Sequence, residues 1–126
     1  MIEPIIMSLM ADEGIASYIG FVPEKKTLPA VTVETLNLTS QKMIKNYNTK
    51  IRKTNISLNV FGNTITETKL LQSKVLRLFE SLDGSVEYLG YKYTMRISVV
   101  NAVDMFVMGT NKAIIDIHVE YQEHKL

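Results

Sequence analysis

The sequence contains no cysteine and only two histidines among its 126 residues. The missing cysteines exclude disulfide bonds, thiolate metal sites and a cysteine nucleophile, and they suit a reducing compartment. Glu3 stands where a signal peptide would carry basic residues, so we expect a cytoplasmic product that begins at Met1. No apolar run approaches the roughly 20 residues that cross a bilayer, and we therefore predict no association with a membrane.

Motifs that carry catalysis or bind phosphate are also missing from the sequence. The six glycines are scattered, and no Gly-x-Gly-x-x-Gly, Gly-x-x-x-x-Gly-Lys or Gly-x-Ser-x-Gly pattern occurs. Asp116, His118 and Glu120 alternate on one strand, about 6.6 Å from one ligand-type side chain to the next. Three neighbours on one strand rarely converge on a single ion, so we interpret them as a solvent-facing polar row. We predict no enzyme activity, metal or cofactor, and an enzyme that uses His118 is the least favoured alternative.

The bulk composition indicates one globular domain that spans residues 1–126. Hydrophobic residues make up 46% and charged residues 21% of a 14.3 kDa chain, which is ordinary for such a domain. A chain of this length buries about two-thirds of its unfolded surface, enough for one core without covalent cross-links.

The first half of the chain predicts one helix followed by two strands. Apolar residues recur at a helical period over 2–19, although Gly14 allows a break into two pieces. Residues 30–38 and 51–61 are predicted strands, joined by a polar and basic loop at 39–50. Within the first strand the apolar parity switches between Val33 and Leu36, which indicates a bulge.

The second half predicts a helix at 65–82, which begins with the capping-box pair Thr64 and Glu67. Three strands follow, at 85–89, 92–104 and 112–122. The expected fold class is therefore α+β, an antiparallel sheet of four to five strands with two helices packed on one face.

Charge is distributed unevenly along the chain. No acidic residue occurs between Glu34 and Glu67, an interval that carries five of the 14 basic residues and no compensating charge. This interval can be a contact surface for a negatively charged partner or simply a solvated loop. It also contains Tyr47, so a small nucleic-acid-binding module that uses the basic segment 42–53 is one open alternative.

The order of segments resembles a known family of phage proteins. The opening helix runs into Tyr18-Ile19-Gly20-Phe21-Val22-Pro23, and Leu28-Pro29-Ala30-Val31-Thr32-Val33 follows after a short polar gap. The strand Ile56-Ser57-Leu58-Asn59-Val60-Phe61, an amphipathic helix and a closing hairpin with Ile117-His118-Val119-Glu120-Tyr121 complete the pattern. Over nearly the whole chain this layout is similar to the tail-completion or tail-terminator proteins of long-tailed bacteriophages and related prophage elements. Phe21 departs from it, in place of an arginine or similar polar residue, as does the strongly basic loop.

The resemblance implies a structural protein that forms a ring, commonly a hexamer, with no catalytic residues. Such a ring caps the tail tube, ends tail polymerisation and provides the joint to the head. Its implied partners are itself, the tail tube protein and the head–tail connector or stopper protein, in a virion tail assembled in the host cytoplasm. A head-completion or stopper protein of the same virion region is the nearest alternative.

We hypothesise that the sheet formed by 92–104 and 112–122 supplies the contacts between subunits, because sheet edges are ready-made joints. The loop 39–50 would then protrude toward the tail tube, and no specific binding to nucleic acid is expected. The residues assigned to the tube contact are Lys42, Met43, Ile44, Lys45, Tyr47, Lys50, Arg52 and Lys53.

Overall fold

The computed structural model describes residues 2–24, 26–42, 49–80, 82–107 and 110–126, with their side chains except at 38–42, 49–50, 107 and 110. In these residues the fold is α+β, with two helices and a mixed sheet of six strands. The elements in chain order are α1 (Glu3–Asp12), β1 (Ser17–Ile19), β2 (Ala30–Lys42), β3 (Thr49–Phe61), α2 (Ile65–Phe79), β4 (Asp83–Tyr88), β5 (Tyr91–Val107) and β6 (Thr110–Lys125).

The sheet has the order β1-β2-β3-β6-β5-β4. All neighbouring pairs are antiparallel except β1 and β2, which run parallel with Ser17 opposite Val31. The predicted sheet of four to five antiparallel strands is therefore wrong in strand number and in the direction of one pair. The strand that the prediction missed is β1, because a segment of three residues is too short to show a period.

Helix α1 ends at Asp12, so the predicted helix 2–19 is wrong beyond that residue. Gly14 adopts a positive φ of 73°, and the N–H groups of Gly14 and Ile15 donate to Ala11 O and Met10 O at 2.9 Å each. This is the Schellman arrangement, in which a left-handed glycine ends a helix. The chain can then extend into β1.

The hairpin of β2 and β3 is longer than predicted. Residues 39–42 and 49–50 are paired strand rather than loop, while 43–48 lie outside the described residues. β6 explains the extension of β3, because it runs to Lys125 and pairs with β3 as far as Thr49. Ladder hydrogen bonds can hold a polar segment that shows no apolar alternation.

Two bulges lie in the same row of the sheet. The register of β2 shifts between Thr35 and Asn37, as the parity switch predicted, and that of β5 shifts between Val99 and Asn101. Thr35 and Val99 belong to one row of paired residues. Thr35 pairs with Ile56, Ile56 pairs with Ile117, and Ile117 pairs with Val99. Because a bulge bends its strand and increases the local twist, both hairpins bend at this row.

Helix α2 begins at Ile65 with the predicted cap, since Thr64 Oγ1 accepts the N–H of Glu67 at 3.1 Å. It ends at Phe79 rather than at 82, and the carbonyl of Leu82 already accepts the N–H of Ile97 in β5 at 3.0 Å. The predicted strands 85–89, 92–104 and 112–122 are observed as the longer or shifted strands Asp83–Tyr88, Tyr91–Val107 and Thr110–Lys125.

One cluster of buried side chains joins both helices to one face of the sheet, called the helix face here. Ile5, Ile6 and Met10 come from α1, and Val75 and Phe79 come from α2; none is more than 1% exposed. The strands contribute the alternate residues 56, 58 and 60 of β3 and 113, 115, 117, 119 and 121 of β6. Burial of each large apolar side chain stabilises the fold by about 1.5–3 kcal/mol. In the described ranges no helix is long and apolar enough to span a membrane.

Candidate functional site

The outer edge of β5 is open over more than half of the strand. β4 pairs with β5 from Tyr91 to Arg96, and the carbonyl of Leu82 adds one hydrogen bond at Ile97. In the part of the chain that the structure describes, no strand pairs with this edge from Ser98 to Val107. An edge of this kind presents unpaired backbone N–H and C=O groups, which can bind a further strand.

Exposed apolar side chains accompany this open edge. Val100, at the bulge, is 65% exposed, and Val103 and Met105 are 41% and 43% exposed. Because the bulge shifts the register, Val103 lies opposite Ile114 on the face turned away from the helices, which we call the polar face. The sequence of β5 did not predict this shift. The edge and its apolar side chains together have the character of a protein contact rather than of a solvated strand.

The edge of β2 is open at the other side of the sheet. β1 pairs with β2 only from Val31 to Val33, and Gly20 adds one hydrogen bond to Val33 O, among the residues described. The rest of β2, as far as Lys42, has β3 on one side and no described strand on the other. Leu36, at the bulge of β2, is 55% exposed.

The predicted tube-contact residues divide into two groups. Met43, Ile44, Lys45 and Tyr47 lie outside the described residues, and Lys42 and Lys50 are paired in register at the end of the hairpin. Arg52 and Lys53 are described, and strand alternation places them on opposite faces of β3. Each lies opposite β6 and close to a glutamate: Arg52 Nε is 3.4 Å from Glu123 Oε2, and Lys53 Nζ is 3.4 Å from Glu120 Oε1.

These two ion pairs change the character of the basic segment. Arg52 extends over the helix face, where its side chain is 24% exposed, and Lys53 lies on the polar face with its side chain 53% exposed. The five cations of the sequence interval therefore do not form one continuous surface.

His118 lies in a row of hydrogen bonds on the polar face. Its Nδ1 is 2.9 Å from Asn55 Oδ1, and Asn55 Nδ2 donates to Asn37 Oδ1 at 2.9 Å. Because this Asn55 oxygen is an acceptor, His118 Nδ1 carries the proton. Nε2 is 3.8 Å from Glu120 Oε1. Across the described residues, no group of three or more histidine, aspartate or glutamate side chains is arranged to hold a metal.

Alternating charges cross the polar face next to this row. Asp83, Arg96, Glu120 and Lys53 are successive partners on β4, β5, β6 and β3. Asp83 Oδ1 and Arg96 Nε are 3.6 Å apart with side chains 70% and 76% exposed, so this pair contributes little to stability. The row borders an open groove of about 530 Å³. Opposite charges alternate along it, so the groove has no single sign with which to select a charged ligand.

Two tyrosines lie on the helix face at the end of the sheet near the Gly90 turn. Tyr93 and Tyr121 are 5% and 2% exposed, and their ring centroids are 6.1 Å apart. Burial raises the pKa of Tyr121 to about 12 and also raises the pKa of Tyr93. Tyr91, whose ring is 6.4 Å from that of Tyr93, is 39% exposed. The tyrosines near the Gly90 turn thus include both core and surface residues.

A scan against protein-family models finds no model that matches this chain, and a search of curated proteins finds no match either. The candidate site therefore depends on geometry, and its main features are the two open edges. Sequence reasoning pointed to the β5–β6 sheet as a contact surface but missed the open edge of β2. The only signal for that edge was the parity switch before Leu36, which predicted the bulge but not the absence of a neighbouring strand.

Proposed function

We propose that this chain is a structural protein of the tail of a long-tailed bacteriophage or related prophage element. Copies of it assemble into a ring, commonly a hexamer, that caps the tail tube and ends tail polymerisation. The ring also provides the joint to the head, so its partners are the tail tube protein and the head–tail connector or stopper protein. The protein acts in the virion after assembly in the host cytoplasm.

The observation that carries this proposal is the pair of open edges at opposite margins of one sheet. A ring needs a heterologous interface, in which two different surfaces of the same chain meet and the contact repeats around an axis. β2 and β5 lie at opposite ends of the central order β2-β3-β6-β5, and each leaves part of its outer edge open within the described residues. This arrangement suits repeated assembly. The segments on which the family resemblance rests form much of the sheet that carries the two edges.

The basic tip of the β2–β3 hairpin supports a role for this hairpin in binding the tube. β2 and β3 stay paired as far as Lys42 and Lys50, where β6 still flanks β3. Arg52 and Lys53 are close to glutamates, so the proposed contact with the tube relies mainly on Lys42, Lys45 and Lys50. A tube rim of negative charge would bind such a tip.

Tail length and head attachment test the proposal in cells that produce the phage without this gene. Supplying the wild-type protein should restore tails of uniform length that carry heads, as counted by electron microscopy. Three charges at the edge of an interface contribute about 1.5 kcal/mol together, so their removal should weaken capping about tenfold. The variant with this change is Lys42→Ala/Lys45→Ala/Lys50→Ala.

The matched control removes three exposed lysines from other parts of the surface, Lys26→Ala/Lys74→Ala/Lys92→Ala. It should restore tails as well as the wild type does. Equal activity of both triple variants would refute the assignment of the hairpin tip, and tails of normal length without the gene would refute tail termination.

The same experiment separates the alternatives. Without a head-completion or stopper protein, tails should reach normal length and fail to join filled heads. A nucleic-acid-binding module would instead show binding to DNA or RNA that weakens steeply with salt. The structure gives that module less support, because Arg52 and Lys53 lie on opposite faces of β3 and each is close to a glutamate.

A further inference from the structure

The two open edges can complete each other. We propose that residues 101–107 of β5 pair, as antiparallel strands, with residues 37–42 of β2 in a second copy of this chain. This inference rests on the proposed ring function, and it names the two surfaces that form each joint. The joint would extend one six-stranded sheet into the next.

Strand direction agrees with this pairing. β2 and β6 run one way and β3 and β5 run the other way, since each neighbouring pair is antiparallel. Copies around a ring keep the same orientation relative to the ring axis. The β5 margin of one copy therefore meets the β2 margin of the next with opposite strand direction, which is the geometry of an antiparallel ladder. The two open runs lie on opposite sides of the bulge row, since Asn101 shares a row with Glu34, so the joint also requires neighbouring copies to be offset along the strands by seven paired positions, about 24 Å. Strands that are tilted to the ring axis, as in a barrel, provide such an offset.

The two open runs also match in length and in local structure. Each begins just after a bulge, at Asn101 in β5 and at Asn37 in β2. At about 3.4 Å per residue, each run is roughly 20 Å long. The bulges leave Val100 and Leu36 exposed by 65% and 55%, so each run is next to an apolar side chain that a neighbouring copy can cover.

Charge is complementary when the two runs overlap fully. The antiparallel overlap places Lys42 of one copy beside Asn101 of the other. β4 begins close to this position, because Asp83 pairs with Arg96 and precedes the open part of β5. The side chain of Asp83 is 70% exposed, and Glu80 is exposed nearby in the chain. Arg96, 3.6 Å from Asp83, offsets one of these two acids, so the basic end of β2 meets a corner with one net negative charge.

The size of the joint favours a closed ring over a dimer. A strip 20 Å long on a sheet about 10 Å thick offers roughly 200 Å². A stable two-body interface needs about 800 Å² from each partner. One joint is therefore weak alone, whereas each copy in a closed ring makes two joints. We expect assembly to be cooperative, with few free dimers of the wild-type chain.

The test blocks one edge at a time with lysines, which natural edge strands use to prevent pairing. One variant is Val103→Lys/Met105→Lys in β5, and the other is Leu36→Lys/Ser40→Lys in β2. The matched control, Ile65→Lys/Leu70→Lys, places two lysines at exposed apolar positions on α2, which are 50% and 68% exposed. Far-UV circular dichroism confirms that each variant is folded before its mass is measured by light scattering and sedimentation.

The wild type and the α2 control should form rings with the same dependence on concentration. Each edge variant alone should be monomeric at concentrations at which the wild type forms rings. The concentration at which half of the chains assemble should rise by at least about tenfold, the equivalent of 1.4 kcal/mol. An equimolar mixture of the two edge variants should form nothing larger than a dimer, and dimers only at high concentration, because only one intact β5 edge and one intact β2 edge can meet in a single weak joint.

Three results would overturn the joint: a wild type that stays monomeric to about 1 mM, edge variants that assemble like the wild type, and dimers formed by the β2 variant alone. The last would indicate a symmetric pairing of two β5 edges. Tail assays separate this inference from the proposed function. If both edge variants cap tails normally, the joint is wrong and the function stands; if wild-type rings form through these edges but do not cap tails, the function is wrong and the joint stands.

Discussion

Replacement of Gly62 by alanine should displace helix α2 from the sheet. Gly62 follows β3 directly and lies against the first turns of α2. A β-carbon at this position would be 2.5 Å from Thr68 Oγ1, 2.8 Å from Thr68 N and 3.1 Å from Thr68 Cα. Carbon atoms do not approach other heavy atoms so closely. Two of these three contacts are with backbone, so a side-chain rotation cannot relieve them and the helix must move.

The expected loss of stability follows from what holds Thr68 in place. Thr68 is fully buried, and its Oγ1 donates to Thr64 O at 2.8 Å and lies 3.4 Å from Asn111 O. Overpacking of this kind costs about 1–3 kcal/mol, and here we expect the upper part of that range because backbone must shift. Alanine also lowers the entropy of the unfolded chain, which stabilises by about 0.4–1 kcal/mol. The overpacking is larger, and the net loss is about 2 kcal/mol.

Thermal unfolding followed by circular dichroism at 222 nm measures this loss. With an unfolding entropy of about 2.1 cal/mol/K per residue, a loss of 2 kcal/mol lowers Tm by about 8 °C. The control is Gly84→Ala, since a β-carbon there meets nothing within 4 Å. It should change Tm by less than about 3 °C.

Equal melting temperatures for the two alanine variants would refute the reasoning. A second comparison shows which contact matters. In the Thr68→Ala background the hydroxyl is gone but the backbone nitrogen remains, so Gly62→Ala should still lower Tm. If the double variant has the same Tm as the Thr68→Ala single variant, the clash involves only the side chain of Thr68 and α2 has not moved.

Two further predictions concern the helix cap and the buried tyrosine. Thr64→Ala removes the acceptor of the Glu67 N–H and should cost about 1 kcal/mol, or about 4 °C in Tm, whereas Thr66→Ala at an exposed position should cost little. Burial raises the pKa of Tyr121 to about 12 from its ordinary value of 10, so the stability it contributes is complete below pH 10 and is lost as pH rises toward 12. Urea unfolding at pH 9 and at pH 11.5 should show a decrease of about 2 kcal/mol in the wild type. The decrease should be smaller in Tyr121→Phe; the same decrease in both proteins would assign it to other groups.

Local patterns in the sequence predicted the parts of the fold that depend on local physics. Alternation in β6 correctly separated the row of Asp116, His118 and Glu120 from the buried face, because strands place every second side chain on the same side. The parity switch at Leu36 identified a bulge, and the pair Thr64 and Glu67 identified the start of α2. Gly14 signalled the true end of α1, but the apolar residues on both sides of it, including Ile15, maintained a helical period and concealed the change.

Non-local pairing produced the errors. The segment 39–50 is polar and basic, and nothing in it indicates that β6 extends to Lys125 and holds β3 in the sheet as far as Thr49. Arg52 and Lys53 are neighbours in sequence, yet alternation sends them to opposite faces, where each lies 3.4 Å from a glutamate of β6, Glu123 for Arg52 and Glu120 for Lys53. Arg52 and Lys53 therefore do not belong to one continuous patch on a single face of the sheet. Such contacts depend on register between distant strands, which a single sequence does not contain.

The open edge of β5 differs from the edges that proteins usually protect. Natural edge strands are often short or carry lysines or inward-pointing charges, since a long apolar edge invites aggregation. From Ser98 to Val107 the only charged residue is Asp104, and its pKa is lowered chiefly by a hydrogen bond from Lys69, whose Nζ is 2.7 Å from Oδ2. That charge is thus satisfied within the chain and opposes an incoming strand very little. Among the described residues of this run, the bulge is the only protective feature. Because it lies at one end, the remainder is suited to pair with another strand. The complementary edge of β2 is offered by every other copy of the same chain, which is why we assign this run to self-assembly.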